Sequence, residues 1–161
     1  MRDIYVVGDA NVDIIVPYPR FLNEERTLVD YPNPELVGGG TSANTAVALA
    51  KLGLPVSFLG TIGDDQYGKY IQKDFKEQGV NTADLIVDPK LNTVGVFAFI
   101  DENGERYLWG WPRVDQAFKV LERDKVPFEK IEAADWVHSS GMSLVYDTSA
   151  RTEIIEIFKK A

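Results

Sequence analysis

Three consecutive glycines, Gly38-Gly39-Gly40, run straight into Thr41-Ser42-Ala43-Asn44-Thr45-Ala46-Val47-Ala48-Leu49-Ala50-Lys51 and then Leu52-Gly53. No other stretch restricts the fold of this chain as much. Lacking a Cβ, the glycines permit backbone conformations and close approaches that other residues forbid. The residues after them carry a helix signature. Thr41 or Ser42 is placed to cap, Ala43, Ala46, Val47 and Ala50 fall on one face, and Gly53 supplies the stop. A glycine turn feeding a helix start presents backbone N–H groups at the positive end of the helix dipole. Such a start suits phosphate, carboxylate or, with Asn44 in the first turn, sugar hydroxyls. A tight turn before a small-residue helix packed on a sheet accounts for the same residues equally well.

Upstream, Ile4-Tyr5-Val6-Val7 ends at Gly8 and reads as a strand buried on both faces. In Asp9-Ala10-Asn11-Val12-Asp13 the polar residues alternate with apolar ones. An extended segment therefore puts Asp9, Asn11 and Asp13 on one face near the carboxyl end of that strand, where ligands sit in open α/β sheets. The proline-rich segment 17–34 reads as loop, with a short strand near Thr27-Leu28-Val29. Residues 56–62 form a second buried strand ending at Gly63. Asp64-Asp65 then opens a helix with Tyr67, Tyr70, Ile71 and Phe75 at helical spacing, closed by Gly79. Residues 80–87 give a third strand, so the pattern is a parallel sheet with crossover helices.

The pattern then changes. Residues 93–100 and 106–111 are β-rich runs joined by Asp101-Glu102-Asn103-Gly104-Glu105, a hairpin signal. Phe97, Phe99, Tyr107, Trp109 and Trp111 give this hairpin an apolar face, which either closes over a ligand or packs on a partner subunit. Beyond it the spacing predicts a helix over 115–124 with Ala117, Val120 and Leu121 inward, a helical turn over 128–133, and a buried strand over 136–140. A last helix over 148–160 carries Ile154, Ile155 and Phe158 on one side. His138, the sole histidine, falls within the strand pattern without a sequence partner that would make it a base, and reads as structural.

With 161 residues, 45% hydrophobic and 26% charged, the chain suits one domain with its own core. A net charge of −8 argues against nucleic acid and anionic membrane as partners. The absence of cysteine removes disulfides, zinc–thiolate clusters and thiol nucleophiles, and fits a reducing compartment. No apolar run approaches membrane-spanning length. A cytoplasmic location is the expectation.

Asp9-Ala10-Asn11-Val12-Asp13 and Gly39-Gly40-Thr41-Ser42-Ala43-Asn44-Thr45-Ala46 together resemble the ribokinase-like (PfkB) carbohydrate kinases. Gly53 and Gly63-Asp64-Asp65-Gln66-Tyr67-Gly68 follow at the family's spacing. The likeness covers essentially the whole chain; Ser42 departs from the Gly, Ala or Pro usual at its position. The resemblance implies an α/β fold, a Rossmann-like three-layer α/β/α domain of ribokinase type. Residues 1–161 would be its N-terminal part, bearing a small β-sheet lid with strands from about 13–37 and 93–111. It also implies phosphoryl transfer from ATP to a sugar hydroxyl. On this likeness Asn11 and Asp13 would hold sugar hydroxyls, Gly39 and Gly40 would let the sugar lie against the backbone, and Asn44 would donate and accept from the helix start. Thr93-Val94-Gly95-Val96-Phe97 and Trp111-Pro112-Arg113-Val114-Asp115-Gln116-Ala117 are similar to 2-keto-3-deoxygluconate kinases and fructokinases. That similarity adds Phe97, Trp111 and Arg113 as contacts to an acidic or keto sugar, Arg113 as the carboxylate clamp. Phe97 and Trp111 stand where those kinases tend to carry tyrosines.

The family's second signature, a glycine-rich Asp-Thr-x-Gly-Ala-Gly-Asp segment supplying the anion hole and the aspartate base, does not occur in these residues, nor does a P-loop. ATP and Mg2+ are therefore implied for the full-length enzyme, with neither expected on this chain alone. The expectation is a sugar-binding, lid-bearing part of a sugar kinase, inactive by itself, with a small sugar or sugar acid as ligand and a homodimer formed through the lid. A noncatalytic sugar-binding module and a lid-mediated dimerisation protein are the rival readings. A nucleotide-binding oxidoreductase is disfavoured, because the first strand–helix turn holds only Gly8.

Overall fold

The computed structural model of the chain describes residues 3–17 and 33–161. In chain order the strands and helices are β1 (Ile4–Val7), β2 (Asn11–Pro17), β3 (Glu35–Gly39), α1 (Thr41–Lys51), β4 (Val56–Leu59), β5 (Thr61–Gly63) and α2 (Gln66–Glu77). They continue with β6 (Ile86–Asp88), β7 (Gly95–Ile100), β8 (Arg106–Trp111), α3 (Phe128–Glu132), β9 (Trp136–Ser139) and α4 (Ser149–Lys160). The expected strand near Thr27-Leu28-Val29 lies outside the described residues.

β1 is the middle of a parallel sheet ordered β4-β1-β9. Its alternating side chains feed two cores. Ile4 and Val6 join Val56 and Phe58 against α1 and α2, whereas Tyr5 and Val7 join Leu59 against α3 and α4. Apolar runs without alternation are what a parallel sheet covered on both faces requires, and the result is a three-layer α/β/α arrangement. Phe58 and Phe75 meet in the first core at 4.8 Å between ring centroids. A second sheet, ordered β3-β2-β7-β8, pairs β2 with β3 antiparallel, β2 with β7 parallel and β7 with β8 antiparallel. The hairpin predicted around Asn103-Gly104 is thus present as β7–β8.

Several expectations shift. Residues 56–62 are two strands rather than one. Gly60 lies against the carbonyl of Gly8 more closely than any Cβ would allow, and after it β5 leaves to pair with β6 in a separate two-stranded sheet. Of the strand expected over 80–87 only β6 forms; Asn81 meets Ser57 in an isolated bridge. The helix expected over 115–124 is instead two short 3-10 turns, Ala117–Lys119 and Arg123–Lys125. There Asp115 turns left-handed (φ 50°), and its carbonyl and the Ala117 N–H pair with the backbone of Asn92, so a tertiary bridge displaces the local helix. β9 is an edge strand rather than a buried one, and Trp136 is 66% exposed. On α4 the inward residues are Ala150, Glu153, Ile154 and Ile157, whereas Ile155 and Phe158 point outward.

Candidate functional site

The turn between β3 and α1 builds the site. Gly40, at φ 101°, takes a conformation that favours glycine and delivers the chain from the sheet into α1. A Cβ on Gly39 would stand 2.7 Å from both Asn11 Nδ2 and Asp13 Cγ, so glycine here is what lets those two side chains lie across β3. Asn11 and Asp13 share one face of β2, and the Asn11 amide donates to Asp13 Oδ1 at 2.8 Å. Among the described residues, Asn11 Oδ1 and Asp13 Oδ2 receive no hydrogen bond.

Asp9 does not join that face. It turns beneath the start of α1 and takes over the capping expected of Thr41 or Ser42. The Thr41 N–H donates to Asp9 Oδ2 at 2.7 Å and the Ser42 N–H to Asp9 Oδ1 at 3.2 Å. The Ala43 N–H donates to the Asp9 carbonyl and the Asn44 N–H to that of Gly40. The Asn44 bond is the first within the helix, and the N–H groups of Thr41, Ser42 and Ala43, which a helix start leaves unpaired, are all taken up by Asp9. Asp9 thus occupies the N–H groups that the sequence offered to an anion.

The two carboxylates differ in electrostatics. Burial disfavours the charge on Asp9, but hydrogen bonds from the Ser42 and Ser140 hydroxyls and from the Ser42 and Thr41 N–H groups outweigh it and hold the acid below its ordinary range. Burial dominates at Asp13 and pushes its carboxyl up, against the opposing Asn11 hydrogen bond and the charge of Arg106.

Asn11, Asp13, Gly40, Asn44 and Arg113 line one cleft of about 440 Å³, with Asp9 also in its lining. Asn44 and Arg113 are exposed, Asn11 and Asp13 half-buried. Strand register sorts the remaining candidates. Asp13 lies opposite Val96, and Val96 opposite Gly110, so this face of β7–β8 forms a wall of the cleft. Phe97 pairs with Ile14 and with Trp109 on the other face, where it packs on the core that holds Ile14; Trp111, opposite Gly95, shares that face. Neither Phe97 nor Trp111 lines the cleft. Gly39 supports it from behind through Asn11 and Asp13.

Sequence reasoning missed the far wall, formed by Gln116, Phe118, Met142 and Tyr146. Phe118 and Tyr146 meet edge-on at 6.2 Å, with Lys119 Nζ 4.0 Å from the Tyr146 ring centroid. The signal that could have found it is Gly141, just beyond the end of β9, which runs parallel to β1. A second cavity, about 390 Å³, lies between α1, α2 and β3, with Glu35, Lys51, Tyr70 and Asp74 in its lining. Among the described residues no group of three or more His, Cys, Asp or Glu is placed to hold a metal ion. No helix among them is long and apolar enough to cross a membrane.

A family model for pfkB carbohydrate kinases matches residues 1–161. Among curated proteins, the fructokinase of Vibrio alginolyticus is 34% identical over 163 aligned positions, covering 100% of this chain and 47% of that protein. The 5-dehydro-2-deoxygluconokinase of Bacillus subtilis is 38% identical over 149 positions, covering 91% and 44%. The crystal structure of fructokinase from Xylella fastidiosa superposes with a TM-score of 0.81 at 24% identity, over 99% of this chain and 49% of that one. A second structure of that enzyme, with bound ATP, gives 0.80 at 24% identity over 98% and 48%. These superpositions show the ribokinase-type fold. The chain spans about half the length of the curated relatives it matches.

Proposed function

The chain belongs to the pfkB family of carbohydrate kinases, and from that premise we propose that it is the sugar-binding part of an enzyme moving the γ-phosphoryl group of ATP to a sugar hydroxyl. The observation that carries the reading is the convergence of Asn11, Asp13, Gly40, Asn44 and Arg113 on one cleft. Asp13 accepts hydrogen bonds from sugar hydroxyls. Asn44 both donates and accepts, as an amide can. The Asn11–Asp13 hydrogen bond fixes the carboxylate before the ligand arrives. Arg113, a cation in this lining, faces the carboxylate or keto end of a sugar acid, and its planar fork suits a bidentate contact. Relatives named fructokinase and 5-dehydro-2-deoxygluconokinase support a keto sugar or a sugar acid as the substrate class.

ATP supplies the transferred phosphoryl group, with Mg2+ neutralising its charge. The residues present do not fit that role. The glycine-led start of α1 is filled by Asp9, and no glycine-rich Asp-Thr-x-Gly-Ala-Gly-Asp segment occurs in the sequence. We therefore assign these 161 residues binding rather than transfer. The β2–β3 and β7–β8 strands act as the lid that shields the sugar from water. The exposed Tyr107, Trp109 and Trp111 favour a lid-to-lid homodimer as its resting form. A cytoplasmic setting accords with the cysteine-free composition.

Saturation-transfer NMR against a panel of neutral and acidic sugars, with and without ATP and Mg2+, tests the reading. Sugar signals without any sugar phosphate are the expected result. Sugar phosphate in the product would overturn the assignment of binding without transfer, and silence across the panel would overturn the whole reading.

A further inference from the structure

Among the described residues Asp9 is the most heavily hydrogen-bonded buried side chain, and the reading of the cleft leaves it without a ligand. It is 5% exposed at the base of the same cleft, and both of its carboxylate oxygens are engaged within the protein. Oδ1 receives the Ser42 hydroxyl at 2.8 Å, the Ser140 hydroxyl at 2.9 Å and the Ser42 N–H at 3.2 Å, with Ser143 Oγ at 3.4 Å. Oδ2 receives the Thr41 N–H at 2.7 Å, and Thr41 Oγ1 lies 3.0 and 3.1 Å from the two oxygens. Ser140 Oγ is also 2.9 Å from Thr41 Oγ1 and 3.1 Å from Ser42 Oγ.

These partners come from two separate parts of the chain. Thr41 and Ser42 open α1, whose first turn carries Asn44 into the cleft. Ser140 and Ser143 flank Gly141 and Met142 after β9, in the segment that brings Met142 and Tyr146 to the far wall. One carboxylate thus ties the floor of the cleft to its opposite wall across 131 residues of sequence. Charge-assisted hydrogen bonds are the strong ones, and a buried carboxylate stripped of its donors is costly, so the two parts are held as one unit.

We propose that Asp9 is a positioning residue for sugar recognition, setting affinity by holding Asn44 and the 140–146 segment in register rather than by touching the ligand. The proposal rests on the sugar-binding reading above, but its structural half is tested apart from it. Asp9→Asn keeps the shape and removes the charge; Ser140→Ala removes the shorter of the two links from Asp9 to the far wall, leaving the Ser143 contact, and serves should D9N fail to fold. Backbone amide exchange followed by NMR reads the anchor without any sugar. In D9N the amides of Thr41, Ser42 and residues 141–146 exchange faster together, by about tenfold, while those of α2 and α4 keep their protection. S140A loosens the 141–146 segment in the same way. Loosening at Thr41 and Ser42 with residues 141–146 unchanged overturns the proposal.

Titration of D-fructose and of 5-dehydro-2-deoxygluconate into wild type, D9N, N44A and the D9N/N44A double variant reads the consequence. D9N weakens binding by about tenfold, and the same change in the N44A background weakens it much less, because Asp9 acts through Asn44. Fully additive losses overturn the proposal, since a general loss of stability would add in that way. If wild type binds neither probe, the sugar-binding reading fails, and the exchange result alone upholds or overturns the anchoring role of Asp9.

Discussion

At the scale of single residues the account rests on the geometry around Asp13. Asp13→Asn keeps the side-chain volume but replaces an acceptor-only carboxylate with an amide, so sugar affinity falls by at least about tenfold while the thermal midpoint moves little. Titration calorimetry beside a melting curve separates the two effects. Gly39→Ala places a methyl group 2.7 Å from the Asn11 amide and the Asp13 carboxyl. Both must move, so this variant loses sugar binding and about 1–3 kcal/mol of stability in a urea titration. The two acids also predict an order of events in acid. Asp13 has its folded value raised, so its sugar-accepting carboxylate is lost as pH falls through a point above the ordinary range. Asp9 has its folded value lowered, so its stabilising effect is complete above the ordinary range and is lost only as pH falls through a point beneath it. Sugar affinity therefore fades on acidification before the start of α1 loosens; amide exchange at Thr41 and Ser42 showing the reverse order would contradict this.

At the scale of elements, the parts legible in the sequence were those whose local signal and tertiary role agree. The unbroken apolar run Ile4–Val7 became the central strand, and the Asn103-Gly104 turn became the β7–β8 hairpin. Asp65 capped α2 as its position before a helical stripe indicated, accepting from the Gly68 N–H at 2.7 Å. The same carboxylate also receives the Thr93 N–H at 2.7 Å, a long-range contact with no local sequence signal. Asp65→Ala removes both bonds and lowers stability by about 1–2 kcal/mol in a denaturant titration, with the end of α2 near Gly79 unaffected. The misplaced elements have a common cause. Residues 115–124 carry helical spacing, yet the bridge from Asn92 to Gln116 claims the backbone there. The run 56–62 looks continuous because nothing in it announces how closely Gly60 meets Gly8. For the site, alternation put Asn11 and Asp13 together correctly, but Asp9 precedes the strand and so escaped its period of two. The register that puts Phe97 and Trp111 on the far face depends on which strands pair, and residue types alone do not disclose it.

At the scale of the whole molecule, the two halves of the core stand on opposite faces of a three-stranded sheet whose β9 edge carries an exposed Trp136. Further apolar surface is exposed on β8 at Tyr107, Trp109 and Trp111, and on α4 at Ile155 and Phe158. Such surface on a chain of this size favours association. Under the lid-to-lid proposal, light scattering finds a dimer for the wild type and a monomer after Trp109→Glu with Trp111→Glu; a wild-type monomer would contradict it. The proposed function reduces to a single physical statement, that Asn11, Asp13 and Asn44 cradle a polyol. The most direct measurement of it is isothermal titration of D-fructose and 5-dehydro-2-deoxygluconate into the wild-type chain and into D13N, without nucleotide. The account predicts saturable binding of at least one of these to the wild type, weakened at least about tenfold in D13N. Binding of equal strength in both proteins, or no binding to the wild type, would contradict it.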